Sequence, residues 1–325
     1  MVAHRGYFVR AAPQKGCLYT APMSLHGVLP IALTPFTDDG DVDLAGIDAL
    51  AEHYLGSGAD GLTVLGIMGE AHKLTDAERF AVSSRYLAVT EGEAPLVVGC
   101  SAPATRVAIE RAREAEGLGA AAVMVAPPNN QKNLDLVFAH YREVAEAVSV
   151  PVVVQDEPVN TGVVMPAAFV SRVMNEVENC RYVKLEEAPT TIKISALLDG
   201  IEDPERRAGI FGGLGGMYFY EELARGAVGI MTGFAYPEIL VRVYRLFSQG
   251  KRAEAREHFF RYLPLIRFEA QLGVGGVGIR KEVFALRRII GSSHVRRPAP
   301  PLDAETLREL EDLVEYLGLT EGAER

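Results

Sequence analysis

The chain has three cysteines in 325 residues, no block of basic residues and no apolar stretch long enough to cross a membrane. Each shortage removes a class of function. Cys17, Cys100 and Cys180 are widely spaced and form no ligand pattern, so neither a disulfide framework nor a zinc site is expected. Such cysteine usage suits a reducing cytoplasm. The histidines are dispersed, and no metal is expected. A net charge of −10 without a basic cluster argues against a nucleic-acid partner, although a local pocket can differ in sign from the whole. No G-x-G-x-x-G follows the first strand candidate, which argues against a dinucleotide fold. The glycine-rich Gly212-Gly213-Leu214-Gly215-Gly216 lacks the lysine–hydroxyl pair of a P-loop, so lining a pocket with bare backbone is its expected role.

What is present is a strand–helix alternation. The 48% apolar content and the length suit one large domain with appended helices, or two domains. Short apolar runs occur at Gly27 to Thr34, Gly61 to Leu65, Pro95 to Gly99 and Ala121 to Ala126. They recur at Pro151 to Gln155, Arg181 to Lys184, Gly209 to Gly212 and Ala227 to Thr232. Segments of helical period separate them, for example Asp43 to Ser57, Thr75 to Thr90 and Leu134 to Val148. Parallel neighbours need crossover helices, so the pattern predicts an α/β fold, a (β/α)8 TIM barrel with a C-terminal helical appendage.

The predicted boundaries are a loose extension over 1–22, a barrel over 23–249 and a helical region packed on it over 250–325. The extension carries Arg5, Arg10 and Lys15 but is interrupted by Pro13 and Gly16, which argues against a secretory signal. Helices are predicted over Pro237 to Gln249, Arg252 to Leu272, Ile279 to Ile290 and Ala304 to Leu317, the last N-capped by Asp303.

Lys184 is the residue that bears most directly on function. It ends the run Cys180-Arg181-Tyr182-Val183-Lys184-Leu185, with Glu186 and Glu187 behind it. The run reads as a buried parallel strand, where an unpartnered lysine is rare. At the C-terminal end of a barrel strand, a desolvated lysine can lose its proton, attack a carbonyl and form a Schiff base. The same position also accommodates a lysine that snorkels to the surface or pairs with Glu186 or Glu187.

The second strand ends in Gly66-Ile67-Met68-Gly69-Glu70, followed by Leu74-Thr75 and Glu78-Arg79. This resembles the G-x-x-G-E…L-T-x-x-E-R signature of the dihydrodipicolinate synthase and N-acetylneuraminate lyase superfamily. Pro30-Ile31-Ala32-Leu33-Thr34-Pro35-Phe36 is similar to that superfamily's first strand, and the resemblance covers Gly27 to Leu317. It implies that Lys184 is the Schiff-base lysine. It further implies a small 2-keto acid as substrate, no cofactor beyond the covalent imine, and a homo-oligomer, tetramer or dimer. Loop amides there can hold a carboxylate. The substrate-binding candidates are Gly66, Ile67, Met68, Gly69, Glu70, Asn129, Gln155, Gly212 and Thr232.

The departures narrow the chemistry. Where the synthase has a strand-four tyrosine that relays protons, this chain reads Ala126-Pro127-Pro128-Asn129-Asn130, with Asn129 in the tyrosine's place. An amide is neither acid nor base near neutral pH. After strand five, Gln155-Asp156-Glu157-Pro158-Val159-Asn160 puts Asn160 where the synthase has an arginine, and Ile67 and Met68 replace its loop hydroxyls. Together these argue against the synthase reaction. The Gln-Asp-x-Pro and Lys-x-Glu patterns look instead like the L-2-keto-3-deoxyarabonate (pentonate) dehydratases and related aldolases. So do Tyr262-Leu263-Pro264-Leu265-Ile266, Glu269 and Arg280-Lys281-Glu282-Val283.

The expected reaction begins with neutral Lys184 attacking C2 of the keto acid; the resulting imine acidifies C3. Loss of a C4 hydroxyl is then dehydration, and C3–C4 cleavage is an aldol reaction. Glu186 and then Asp156 are the first choices for the acid–base work, ahead of Glu70, His72 and Glu157. A non-catalytic ligand-binding homologue is the reading from another class.

Overall fold

Apolar runs without alternation, such as Val152-Val153-Val154, become strands buried on both faces in the computed structural model, which describes residues 24–203, 209–271 and 274–319. The expectations for residues 1–22 and Cys17 lie outside the described residues. The strands are β1 (Gly27–Val28), β2 (Leu62–Val64), β3 (Leu96–Gly99), β4 (Ala122–Val125), β5 (Val152–Asp156), β6 (Cys180–Leu185), β7 (Gly209–Gly212) and β8 (Gly229–Ile230). All pair in parallel, in the order β1-β8-β7-β6-β5-β4-β3-β2. The remaining seam is closed by a parallel bridge between Ile31 and Thr63, so the sheet is a barrel. Strand one is shorter than the sequence pattern suggests because Pro30 has no N–H to add to the ladder.

Around it lie α1 (Leu44–Gly56), α2 (Asp76–Thr90), α3 (Thr105–Leu118), α4 (Leu134–Glu146), α5 (Pro158–Thr161) and α6 (Ala167–Glu176). They continue with α7 (Thr190–Gly200), α8 (Phe219–Ala224), α9 (Pro237–Ser248), α10 (Arg252–Glu269), α11 (Val274–Leu286) and α12 (Ala304–Tyr316). Local chemistry fixes several starts. Thr75 and Glu78 form a capping box on α2, and Asp43, Asn133 and Asp303 accept amides at the starts of α1, α4 and α12. The third C-terminal helix starts five residues earlier than its sequence pattern suggests and stops at Leu286. Arg288 beyond it has a left-handed φ of 54°. No helix among the described residues is long and apolar enough to cross a membrane.

The core has two shells. Leu29, Ile31, Met124, Val153, Tyr182 and Phe211 fill the barrel, while Val64, Val98, Val154 and Val183 face outward against the helices. Side-chain alternation along each strand therefore decides which residues at its C-terminal end face the mouth.

Candidate active site

On β6, Tyr182 points inward beside Phe211 and its hydroxyl accepts the Leu25 amide at 3.0 Å, so it is a core aromatic. Two residues on, Lys184 also lies inside, paired in register with Gln155 of β5 as Tyr182 is with Val153. Lys184 Nζ lies 2.9 Å from Glu186 Oε2, and Gln155 Nε2 donates to that same oxygen at 3.1 Å. An amine, a carboxylate and an amide from adjacent strand ends thus meet at the mouth. Gly213 makes room for them. A Cβ there would stand 2.6 Å from Glu186 Cγ and 3.0 Å from Lys184 Cε, so any side chain would displace both. Buried Glu157 uses its carboxylate to cap α5, accepting the Asn160 amide at 2.8 Å. Burial pushes its pKa up, the charge of Glu186 adds to this, and Lys184 opposes it.

The loop after β2 is bent by left-handed backbone at Leu65 (φ 56°) and Glu70 (φ 51°). The Gly69 and Glu70 amides turn back onto Gly66 O and Ile67 O at 3.1 and 2.9 Å. Among the described residues no protein acceptor takes the Ile67 or Met68 amide. The loop borders a cavity of about 510 Å³ whose lining includes Gly66, Ile67, His72 and Gln155, with Asn129 and Asn160 exposed at its rim.

Several expected site residues sit elsewhere. Asp156 follows Val152 and Val154 to the outer face, fully buried, and pairs with Lys193 of α7 at 2.5 Å. Burial pushes its carboxyl up to about 6 against the opposing pull of Lys193. It therefore ties β5 to α7 and does not belong to the Lys184 cluster. Glu70 is turned under the loop, where it meets Lys281 at 2.6 Å and Lys73 at 3.0 Å, and it accepts the Arg296 amide at 3.1 Å. It staples the loop to α11 and to the segment after it. Gly212 faces outward: a Cβ there would stand 1.7 Å from Glu222 Oε2, a buried carboxyl pushed up to about 7 by burial. The glycine that serves the mouth is Gly213. Thr232 packs its methyl with Ile230 and Ile266 beneath Gly216. Gly69 serves the loop's own turn, since its amide is taken and its carbonyl accepts the Thr34 hydroxyl at 2.7 Å. His72 is exposed on the cavity wall, its pKa lowered by partial burial and by Lys73.

Arg280 and Lys281 of α11 were outside the expected site, yet both reach the loop after β2. Lys281 binds Glu70, and Arg280 Nη1 donates to Met68 Sδ at 2.9 Å. Arg280-Lys281 carried part of the dehydratase resemblance, but nothing local told that they reach this loop, because the approach is made across some 210 residues of chain.

The model of the dihydrodipicolinate synthetase family matches residues 24–317. L-2-keto-3-deoxyarabonate dehydratase of Azospirillum brasilense is 30% identical over 293 residues, which cover 88% of this chain and 92% of that protein. The crystal structure of dihydrodipicolinate synthase from Rhodopseudomonas palustris matches with a TM-score of 0.85 at 37% identity, over 90% of this chain and 97% of that one. YagE, a prophage protein of Escherichia coli K12 crystallised in complex with pyruvate, matches with a TM-score of 0.84 at 26% identity, over 90% and 98% of the two chains. The chain therefore belongs to the dihydrodipicolinate synthetase family, and it is a lyase of the lysine-imine type.

Proposed function

We propose that Lys184 forms the imine and that the reaction is dehydration of a 2-keto-3-deoxy sugar acid. The observation that carries this reading is the contact of Lys184 Nζ with Glu186 Oε2 at 2.9 Å, with Gln155 holding the same oxygen. Neutral Nζ attacks C2 of the keto acid, whose oxygen departs as water, and the protonated imine draws electrons from C3. Glu186, beside the nitrogen bonded to C2, takes the C3 proton and gives the enamine. The enamine expels the C4 hydroxyl, which leaves as water with a proton returned by the same carboxyl. In a five-carbon acid the conjugated iminium then loses a C5 proton and the resulting dienamine is protonated at C3; the C4=C5 enol so formed tautomerises to an aldehyde, and hydrolysis of the imine frees Lys184. The product keeps all five carbons as a 2-keto acid semialdehyde. No cofactor is needed, because the imine is the electron sink.

Dehydration is preferred over aldol cleavage because a single carboxyl can serve both proton transfers. Gln155, which holds that carboxyl, is neither an acid nor a base near neutral pH. The likeness to the Azospirillum dehydratase favours the same choice. Condensation of pyruvate with aspartate semialdehyde is not proposed. Asn129 and Asn160 stand at the cavity rim where that reaction would call for a phenol and a guanidinium. Losing the charge-assisted contact alone costs about 1.5–3 kcal/mol.

Product analysis tests the reading. With L-2-keto-3-deoxyarabonate, carbon-13 NMR should show a five-carbon semialdehyde as the main product. Pyruvate and glycolaldehyde as main products would make the protein an aldolase. Ordinary enzymatic turnover of pyruvate with aspartate semialdehyde would restore the synthase reading.

A further inference from the structure

A guanidinium is a fork of N–H donors that is seldom buried without carboxylate or carbonyl partners. Arg280 is only 4% exposed, and its partners are poor. Nη1 donates to the thioether of Met68, a weak acceptor. Nε lies 3.5 Å from Glu269 Oε2 but makes no hydrogen bond, and that oxygen already accepts the Ala235 amide at 2.9 Å. A strong cation is thus held at the barrel mouth on a soft, movable side chain.

Its surroundings relate it to Lys184. Met68 belongs to the loop that borders the cavity through Gly66 and Ile67, and its Cγ stands 2.8 Å from the Cβ position of Gly233, just past β8. Gly215, on the turn after β7, has its Cβ position 3.7 Å from Arg280 Nη2. Gly213, two residues earlier on that turn, abuts Lys184 Cε and Glu186 Cγ. The turn Gly212–Gly216 therefore leads from the imine nitrogen to the guanidinium, and Leu214 carries the only side chain along it. A Cβ at Gly213 would collide with Glu186 and one at Gly215 with Ala270, so only glycine lets this turn lie so close to both.

We propose that Arg280 is a substrate-binding residue that sets specificity: with C2 of a 2-keto-3-deoxy acid on Lys184, the substrate's tail follows this turn and its oxygens replace the Met68 thioether on the guanidinium. The inference rests on the imine reading of Lys184. The C1 carboxylate is taken by the Ile67 and Met68 amides, so the cation serves the opposite end. The ligand chemistry is an oxygen acceptor at the end of the tail, supplied either by the hydroxyls of a pentonate or by the second carboxylate of an aldarate-derived acid.

The test compares wild type, Arg280→Met and Arg280→Lys on three ligands. L-2-keto-3-deoxyarabonate and a 2-keto-3-deoxyaldarate have tails; pyruvate has none. For the tailed acids, Arg280→Met should raise KM roughly ten- to a hundredfold, the effect of losing one charge-assisted hydrogen bond. Half-saturation of borohydride inactivation by pyruvate should stay the same, and Arg280→Lys should recover part of the KM. A larger loss for the aldarate assigns the ligand as the carboxylate, and a larger loss for the pentonate assigns it as the hydroxyls. An unchanged KM for both acids overturns the inference, as does an equal shift for pyruvate, which would mark a structural or general electrostatic role. Should Arg280→Met fail to fold, the ratio of tailed acid to pyruvate in Arg280→Lys decides, with the same two outcomes. Wild type that gives no adduct with any 2-keto acid overturns the underlying reading instead, and needs no variant to show it.

Discussion

Lys184→Ala is expected to lower turnover of the 2-keto acid by ~10⁴-fold or more and to leave the protein folded. Without the amine there is no covalent electron sink, and removal of a C3 proton from the free keto acid is not accelerated by the carboxylate that remains. The fold has little stake in this side chain. Its ion partner Glu186 lies at the mouth, keeps its hydrogen bond from Gln155, and is partly open to water at 12% exposure. Truncation therefore leaves no sealed, unpaired charge of the kind that costs several kcal/mol. Turnover and thermal melting measured on the same preparation check both halves. Retained turnover would place the nucleophile elsewhere, and loss of the fold would give Lys184 a structural role.

Glu186→Gln separates imine formation from proton transfer. The amide is nearly isosteric with the carboxylate, so the cluster with Gln155 and Lys184 keeps its shape, but the base is gone. Turnover should fall by ~10²–10⁴, while borohydride still traps the keto acid. Exchange of the pyruvate methyl protons with deuterium, followed by proton NMR, reads the step without a full turnover. The variant should lose this exchange and keep the adduct. Exchange at the wild-type rate would remove Glu186 from the mechanism.

Lys184 stood out in the sequence because a charge that ends an apolar strand is costly unless it does something. The barrel itself was legible from the recurrence of strand-like and helical periods. The direction in which each side chain points was not. Val152, Val153 and Val154 are alike in composition, so nothing local tells that Gln155 faces the mouth and Asp156 faces α7. The register that pairs Gln155 with Lys184 settles it. The same one-residue ambiguity separates Gly212 from Gly213, and the contacts with Glu222 on one side and Glu186 on the other resolve it. Glu70 matched a family signature, yet its partners Lys281 and the Arg296 amide come from more than 200 residues away. Arg280 lay in a motif of the dehydratase resemblance, but its contact was hidden for the same reason, since a helix after the barrel shows no sign in sequence of reaching back to the loop after β2.

The proposed reaction depends first on the chemistry of one nitrogen, Lys184 Nζ. Wild-type protein incubated with pyruvate, reduced with borohydride and digested should yield a reduced pyruvyl adduct on the peptide that carries Lys184, and the Lys184→Ala protein should yield none. An adduct on Lys193 or Lys281, or no adduct with pyruvate or any 2-keto-3-deoxy acid, would contradict it.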